Sequence, residues 1–288
     1  MKKIITSIFF ACLLSTTGHA SSLRDVRFHD ITNDTTHINE ILDKASSIKY
    51  DNLSNLCGSI AREFIGKPYV AHTLEDSVEM ITVNIDQLDC TTFVETVLAL
   101  AYTVNERRSS WHDFVFNLER IRYRGGQLNG YGSRLHYICD WMADNTYRGN
   151  LEDATKNTPK VFYVTRSIDF MSTHRDRYPA LKDSVEFERI KNTEIGYRNH
   201  RFPYIKTNDL GNKTVKAALR DGDAIAFVSN LKDLDVTHMG FIVIVDGEPH
   251  VLHASSSHGK VEISELPLQE FMKKNRQFIG IRIIRLKE

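Results

Sequence analysis

The chain is short of several things that would place it quickly. Four cysteines in 288 residues are too sparse for a scaffold built from disulfides. Lysine plus arginine numbers 37 and aspartate plus glutamate 37, so no global field draws the protein to nucleic acid or to an anionic lipid surface. After the first twenty residues no stretch approaches the roughly 20 apolar residues that a membrane span needs. Internal repeats and low-complexity tracts are absent, which sets aside solenoids and long disordered tails. A chain without nucleic-acid or membrane partners is expected, and a monomer.

What is present begins with a leader. In MKKIITSIFFACLLSTTGHA, Lys2 and Lys3 precede an apolar segment from Ile4 to Leu14, and Gly18-His19-Ala20 supplies small residues for cleavage. Residues 1–20 read as a signal peptide, and export to the periplasm without an anchor is the expectation. The remaining 21–288 suffice for one large domain. They retain Cys57, Cys90 and Cys139, an odd number, so at least one thiol is left unpaired in an oxidising compartment.

Coarse patterning divides this domain. Leu53, Leu56, Ile60, Phe64 and Ile65 recur at helical spacing before GKPYV at 66–70 ends the run, giving an N-terminal helical extension over about 21–60. From Cys90 to about Asn105, Phe93, Val94, Val97, Leu98, Ala101 and Tyr102 form an apolar helix face. Another helix is expected over Trp111–Arg124, stopping at Gly125-Gly126. Periodicity then weakens, and about 107–218 reads as an insertion of mixed structure, too aromatic for disorder. Five strands follow: Asp223–Ser229, His238–Val245, Pro249–Ser255, Gly259–Ser264 and Phe278–Leu286. Asp246-Gly247 marks a hairpin between the second and third. Helices first and an antiparallel sheet afterwards define an α+β fold.

LDCTTFVETVLALAY places Cys90 on the first turn of its helix, with Asp89 as N-cap. Three roles are open to it: packing, half of a disulfide, or a nucleophile. The positive end of a helix lowers a thiol pKa, while the Asp89 carboxylate opposes that shift, so an imidazole partner is needed to favour thiolate. Strand alternation puts His238, Gly240 and Ile242 on one face and Val251, His253 and Ser255 on one face of the next strand. The hairpin makes these strands neighbours. His238 and His253 are therefore expected together on one face of the sheet, against the start of the Cys90 helix: a nucleophile, a base, and a ring that orients the base. Zinc competes for the cluster of His250, His253 and His258. His250 and His253 point to opposite faces, however, and make a poor chelate, so no metal and no cofactor are expected.

These segments resemble the NlpC/P60 papain-like cysteine peptidases of bacterial cell-wall metabolism. DCTTFVE is similar to the family's cysteine motif, and THMGFIVIVDGEPHVLHASSSHGKV to its H-x-G strand followed by HA. RDGDAIAF at 220–227 resembles the preceding strand, and GKPY the segment with a tyrosine beside the site. The resemblance implies a papain-like core with the cysteine helix packed on an antiparallel sheet, Cys90 as nucleophile, His238 as base and His253 as its orienting partner. Tyr69 is implied near the oxyanion or substrate. The chain departs from ordinary members in three ways: a longer span from Tyr69 to Cys90, no glycine pair after the tyrosine, and over a hundred residues between Cys90 and the first strand. With RYRGGQLNGYGSRLHY at 122–137, these departures resemble the DUF1460 branch. Its members are implied to be N-acetylmuramoyl-L-alanine amidases preferring muropeptides that end in 1,6-anhydro-muramic acid.

Within the insertion, Arg122, Arg124 and Arg134 accompany Tyr131, Tyr137 and Trp141. Guanidiniums suit carboxylates and lactyl oxygens, and flat rings suit sugar faces. Arg122 and Arg124 read as a solvated helix surface. GSRLHY reads as a loop forming a substrate wall. Asp89, Ser133, Arg134, His136 and Tyr137 therefore join Tyr69 as residues expected at the substrate or oxyanion. The expected activity is amide hydrolysis of peptidoglycan fragments. Its rivals are a γ-D-glutamyl-diaminopimelate endopeptidase of the same fold and a muropeptide-binding protein without turnover.

Overall fold

The computed structural model describes residues 25–76 and 78–287, so the expected signal peptide lies outside the described residues. The chain opens with β1 (Val26–Phe28), then α1 (Ile31–Ser46) and α2 (Leu53–Arg62). Asp30 and Asn52 cap these helices with their side chains. Ile38, Ile41, Leu42 and Ala45 form the buried stripe of α1. The helical spacing at 53–65 extends past the real end of α2. Phe64 is buried, but Ile65 is turned outward where Gly66, at φ +89°, reverses the chain. β2 (Ile81–Val83) pairs in parallel with β1.

α3 (Cys90–Asn105) runs through the centre of the helical layer. Every residue from Thr92 to Val104 is buried, so it is apolar on more than the single face seen in its periodicity. Phe93 makes edge-to-face contacts with Phe64 (5.8 Å) and Phe241 (5.5 Å), tying α2 to α3 and α3 to the sheet. α4 (Trp111–Arg122) starts at a Ser110–Asp113 capping box and ends before Gly125 and Gly126, both at positive φ. Arg122 is not on a solvated surface. It is buried, with Nε 2.6 Å from Glu95 Oε2 and Nη1 2.7 Å from the Thr82 carbonyl.

Residues 107–218 do not stand apart from the sheet. α5 (Ile138–Tyr147) packs beside α4 and carries the fully buried Trp141. β3 (Leu151–Asp153) and β5 (His200–Lys206) both pair with the C-terminal strand, and β4 (Val161–Arg166) pairs with β5. Between them, α6 (Phe170–Thr173) and α7 (Ser184–Gly196) enclose a small core of Tyr131, Tyr137, Cys139, Met171 and Ile190. Burial of Tyr131, Tyr137 and Trp141 removes these rings from the sugar-stacking role their flatness suggested.

After α8 (Lys213–Lys216) come β6 (Ala224–Ser229), β7 (Val236–Val245), β8 (Glu248–Ser255), β9 (Lys260–Ile263), α9 (Leu268–Lys274) and β10 (Phe278–Leu286). The sheet runs β4-β5-β10-β6-β7-β8-β9, antiparallel throughout. Val245 pairs with Glu248 across Asp246 (φ +51°) and Gly247 (φ +81°), the two-residue hairpin geometry that the Asp-Gly signal demands. One sheet face, with Met239, Phe241, Val243 and Ala254, packs under α3. The other, with Phe227, Ile242 and Val251, packs under α9. The fold is α+β, as expected.

Phe93 ties α3 both to α2 and to the sheet. Phe93→Ala is expected to cost about 3–5 kcal/mol of unfolding free energy. Denaturant titration checks this, and a loss below about 1 kcal/mol would show that the helix is held elsewhere.

Candidate active site

Asp89 caps α3 in full. Its carboxylate accepts from the N–H groups of Thr91 (3.0 Å) and Thr92 (2.8 Å), while its own N–H donates to Thr92 Oγ1 (2.9 Å). Asp89 therefore fixes where Cys90 sits, as the first helical residue. Cys90 is half-buried, whereas Cys57 and Cys139 are buried and free, so no disulfide joins them. The odd thiol count is resolved: all three are reduced, and Cys90 is the accessible one.

The Cys90 thiol receives a hydrogen bond from the Met239 N–H and lies 4.0 Å from Thr91 Oγ1. Burial, reinforced by the Asp89 carboxylate, nevertheless pushes it up to about 12. Removal from water outweighs the helix end. The resting group is a neutral thiol, and a proton acceptor is needed to use it.

His238 and His253 come together as the strand register requires. The β7–β8 pairing continues one step from Phe241↔Leu252 to put His253 opposite Gly240, and His238 Nε2 lies 2.8 Å from His253 Nδ1. Gly240 makes room for this diagonal contact, since a Cβ there would meet the Leu252 carbonyl at 2.8 Å and His253 Cβ at 3.0 Å. The expected placement against the α3 face needs correction. Phe241 faces α3, and alternation turns His238 and His253 to the opposite face, among Phe227, Phe271 and Phe278. Cys90 and His238 meet instead along a groove at the start of β7, which both line. No hydrogen bond joins the two among the described residues.

Burial, then the neighbouring His253, pulls His238 down to about 3; burial likewise pulls His253 down to about 4, against the Glu262 carboxylate. Both rings are neutral at pH 7. For His238 Nδ1 to accept a proton, Nε2 must carry the hydrogen and donate it to His253 Nδ1, which assigns the tautomer of the pair. Behind His253, Glu262 stands across the β8–β9 ladder and holds His258 at 2.5 Å. Glu262 was not singled out in the sequence, and His258 was weighed there only as a zinc ligand. The alternation of KVEI against VLHAS is the signal that would have placed Glu262 opposite His253.

The groove holding Cys90 has a volume of about 430 Å³ and is walled by Arg134, His136, Tyr137, Phe170, Met171 and Tyr178, with Glu75 and Glu95. The GSRLHY loop does form a wall, but each side chain is committed. Arg134 is buried, with Nη2 2.7 Å from Glu75 Oε1 and Nε 3.2 Å from Glu79 Oε1, so its charge is already balanced. His136 donates from Nε2 to the Tyr131 carbonyl at 2.9 Å; burial and Arg134 hold it well below its usual range, leaving neutral Nδ1 as an acceptor. Tyr137 donates to Glu194 at 2.7 Å. Ser133 is outside the groove, its hydroxyl donating to the Gly130 carbonyl and accepting from Asn129. Arg124, half-exposed, pairs with Asp140. Tyr69 is held beside the helix start by a bridge to Leu88, and its N–H donates to the Gly259 carbonyl. Burial, then Cys90 and Asp89, keeps its phenol protonated, a donor near the thiol.

A second cleft of about 570 Å³ begins on the far side of His238, lined by His253, Ser255, Ser257, Glu262, Lys274 and Phe278 among others. The two clefts share only Thr237 and His238. Together they describe a two-sided site with a thiol in one arm and an imidazole at the junction.

The N-acetylmuramoyl-L-alanine amidase-like family, AmiA-like, matches residues 59–281. An N-acetylmuramoyl-L-alanine amidase from Bacteroides uniformis is 36% identical over 82% of this chain and 99% of that one, with a TM-score of 0.76. A Bacteroides fragilis structure described as a candidate xylanase is 38% identical over 78% of this chain and 98% of that one, with a TM-score of 0.73. A Legionella pneumophila protein of family DUF1460, 22% identical over 90% of this chain and 96% of that one, shares the fold at a TM-score of 0.69. No curated protein matches the chain. The fold and these likenesses define an amidase-like hydrolase directed at peptidoglycan-type substrates. The chain belongs to the N-acetylmuramoyl-L-alanine amidase-like family.

Three neutral imidazoles, the buried His253 and the partly buried His136 and His238, carry a linkage consequence. The unfolded chain protonates them near 6.5, the folded protein only well below that. Between these values the unfolded state binds more protons, so stability falls as pH drops from about 6.5 toward 4. Melting temperature against pH should show this fall, and His253→Gln should flatten it. An unchanged slope in that variant would mean that His253 titrates normally.

Proposed function

We propose that the protein is an exported cell-wall amidase that cuts the N-acetylmuramoyl–L-alanine bond of muropeptides, those ending in 1,6-anhydro-muramic acid in particular, with Cys90 as nucleophile. The observation that carries this reading is a partly buried thiol at the start of α3, in one groove with an imidazole whose Nε2 is held by a second imidazole. Family membership supports this choice of bond class. The sugar-terminus preference rests on the DUF1460-like motifs at 122–137.

In this mechanism His238 Nδ1 takes the thiol proton as Sγ attacks the lactyl carbonyl. The carbonyl oxygen gains charge, stabilised by the Cys90 N–H at the helix end and by the Tyr69 phenol. Collapse breaks the C–N bond, and His238 returns the proton to the leaving L-alanine nitrogen. Water, deprotonated by the same ring, then releases the muramoyl carboxylate and the thiol. His253 accepts from His238 Nε2 throughout and steadies the imidazolium. The leader at 1–20 would deliver the protein to the periplasm, where such fragments occur.

Glycoside hydrolysis, the chemistry of the candidate xylanase, needs two available carboxyl groups across the cleft. The carboxylates on this groove are otherwise engaged: Glu95 with Arg122, Glu75 with Arg134, and Asp89 with the helix cap. Their engagement supports the amidase reading.

Product masses from a defined anhydro-muropeptide test the bond. Free anhydro-disaccharide plus intact peptide is expected; a shortened stem still attached to sugar would make the protein a γ-D-glutamyl endopeptidase instead. Cys90→Ala should reduce turnover at least 10³-fold by analogy with loss of other catalytic nucleophiles (on the order of that value). Full activity in that variant ends the cysteine mechanism, and an absence of turnover in the wild type leaves a binding protein. Because His238 stays neutral to about 3, the acid limb of kcat/KM should lie below about pH 5. A limb near 6.5 would contradict the buried base.

A further inference from the structure

Thr237 occupies an unusual place in β7. β6 and β7 pair Phe227 with His238 and Val228 with Val236, so Thr237 is the extra residue of a bulge. Bulges beside active sites re-aim side chains that regular alternation would send elsewhere. Thr237 and His238 are the two residues common to both clefts, so the bulge brings Thr237 to the junction where the two arms of the site meet. Its Oγ1 is buried and has no hydrogen-bond partner among the described residues. A buried hydroxyl without a partner is costly, and at the centre of a binding groove the missing partner is most simply part of the ligand.

The chemistry at that junction limits what the partner is. The nucleophile lies in one cleft and the base at the boundary, so the acyl portion of a substrate extends from Cys90 and the leaving nitrogen must come within reach of His238. A secondary amide nitrogen carries one N–H, which stays on it while His238 adds the second hydrogen. We propose that Thr237 Oγ1 accepts a hydrogen bond from the N–H of the scissile amide, making Thr237 a substrate-contacting residue that orients the leaving group toward His238 and favours amides over esters. This rests on the amide-hydrolase reading above. Nothing in the sequence marks the residue, since a threonine before the HMG segment looks like an ordinary strand former.

The test compares two substrates that differ only in that N–H: an N-acetylmuramoyl–L-alanyl peptide and the ester analogue in which L-lactate replaces L-alanine. Intrinsic ester reactivity cancels because the readout is the ratio of amide to ester kcat/KM across variants. Thr237→Val keeps the shape and removes the acceptor, and should lower that ratio about tenfold, the loss of one neutral hydrogen bond. Thr237→Ser should restore it. Melting temperatures establish that each variant is folded, and Thr237→Ala replaces the valine variant if that one is not. A ratio unchanged in the folded variant, or an equal fall for both substrates, overturns the proposal while leaving the amidase reading intact. A wild-type protein that hydrolyses neither substrate overturns both.

Discussion

The site depends on how α3 is held against β7. Phe93 inserts between Phe64 and Phe241, and through that contact the first turn of the helix comes to rest where the Met239 N–H reaches the Cys90 sulfur. The Asp89 cap defines which residue stands first in the helix. Neither contact involves the reacting atoms, yet together they bring a thiol from the helical layer to the rim of the sheet. The proposed nucleophile, at the start of a buried, many-sided packed helix, is positioned by rigid surroundings instead of by a flexible loop.

The same burial sets the electrostatics. A thiol pushed up to about 12 beside imidazoles pulled down to about 3 and 4 describes a neutral resting pair. In the proposed mechanism, proton transfer then accompanies attack in place of a stored thiolate–imidazolium pair. A neutral thiol is also less open to oxidation than an exposed thiolate, which would suit the proposed export to an oxidising compartment. Arg134 follows a related logic. Countered by Glu75 and Glu79, it stiffens the groove wall without leaving a strong positive field in front of the thiol.

Much of this was legible in the sequence, and unevenly. The strands from 224 onward and the Asp-Gly hairpin follow from alternation and turn chemistry, and so did the pairing of His238 with His253. Which sheet face the pair occupies was not, because alternation separates two faces without saying which one α3 covers. Phe93 and Phe241 decide that through a contact nearly 150 positions apart. Arg122 and the rings of Tyr131, Tyr137 and Trp141 looked like surface or sugar platforms, since their composition is polar and aromatic. Long-range partners such as Glu95 and Glu194 draw them into the interior. The span 107–218 hid its strands because β3, β4 and β5 are short or carry charged residues at their ends, and they are completed only by β10 and by one another.

The central claim is that Cys90 becomes acylated by the muramoyl side of the substrate. Rapid acid quench of the protein with an anhydro-muropeptide within the first turnover, followed by peptide mass mapping, tests it directly. The account predicts a mass increase equal to the anhydro-muramoyl acyl group on the peptide carrying Cys90, appearing with released L-alanyl peptide. Product release with the label on another residue, or a peptide-derived adduct on Cys90, would contradict it.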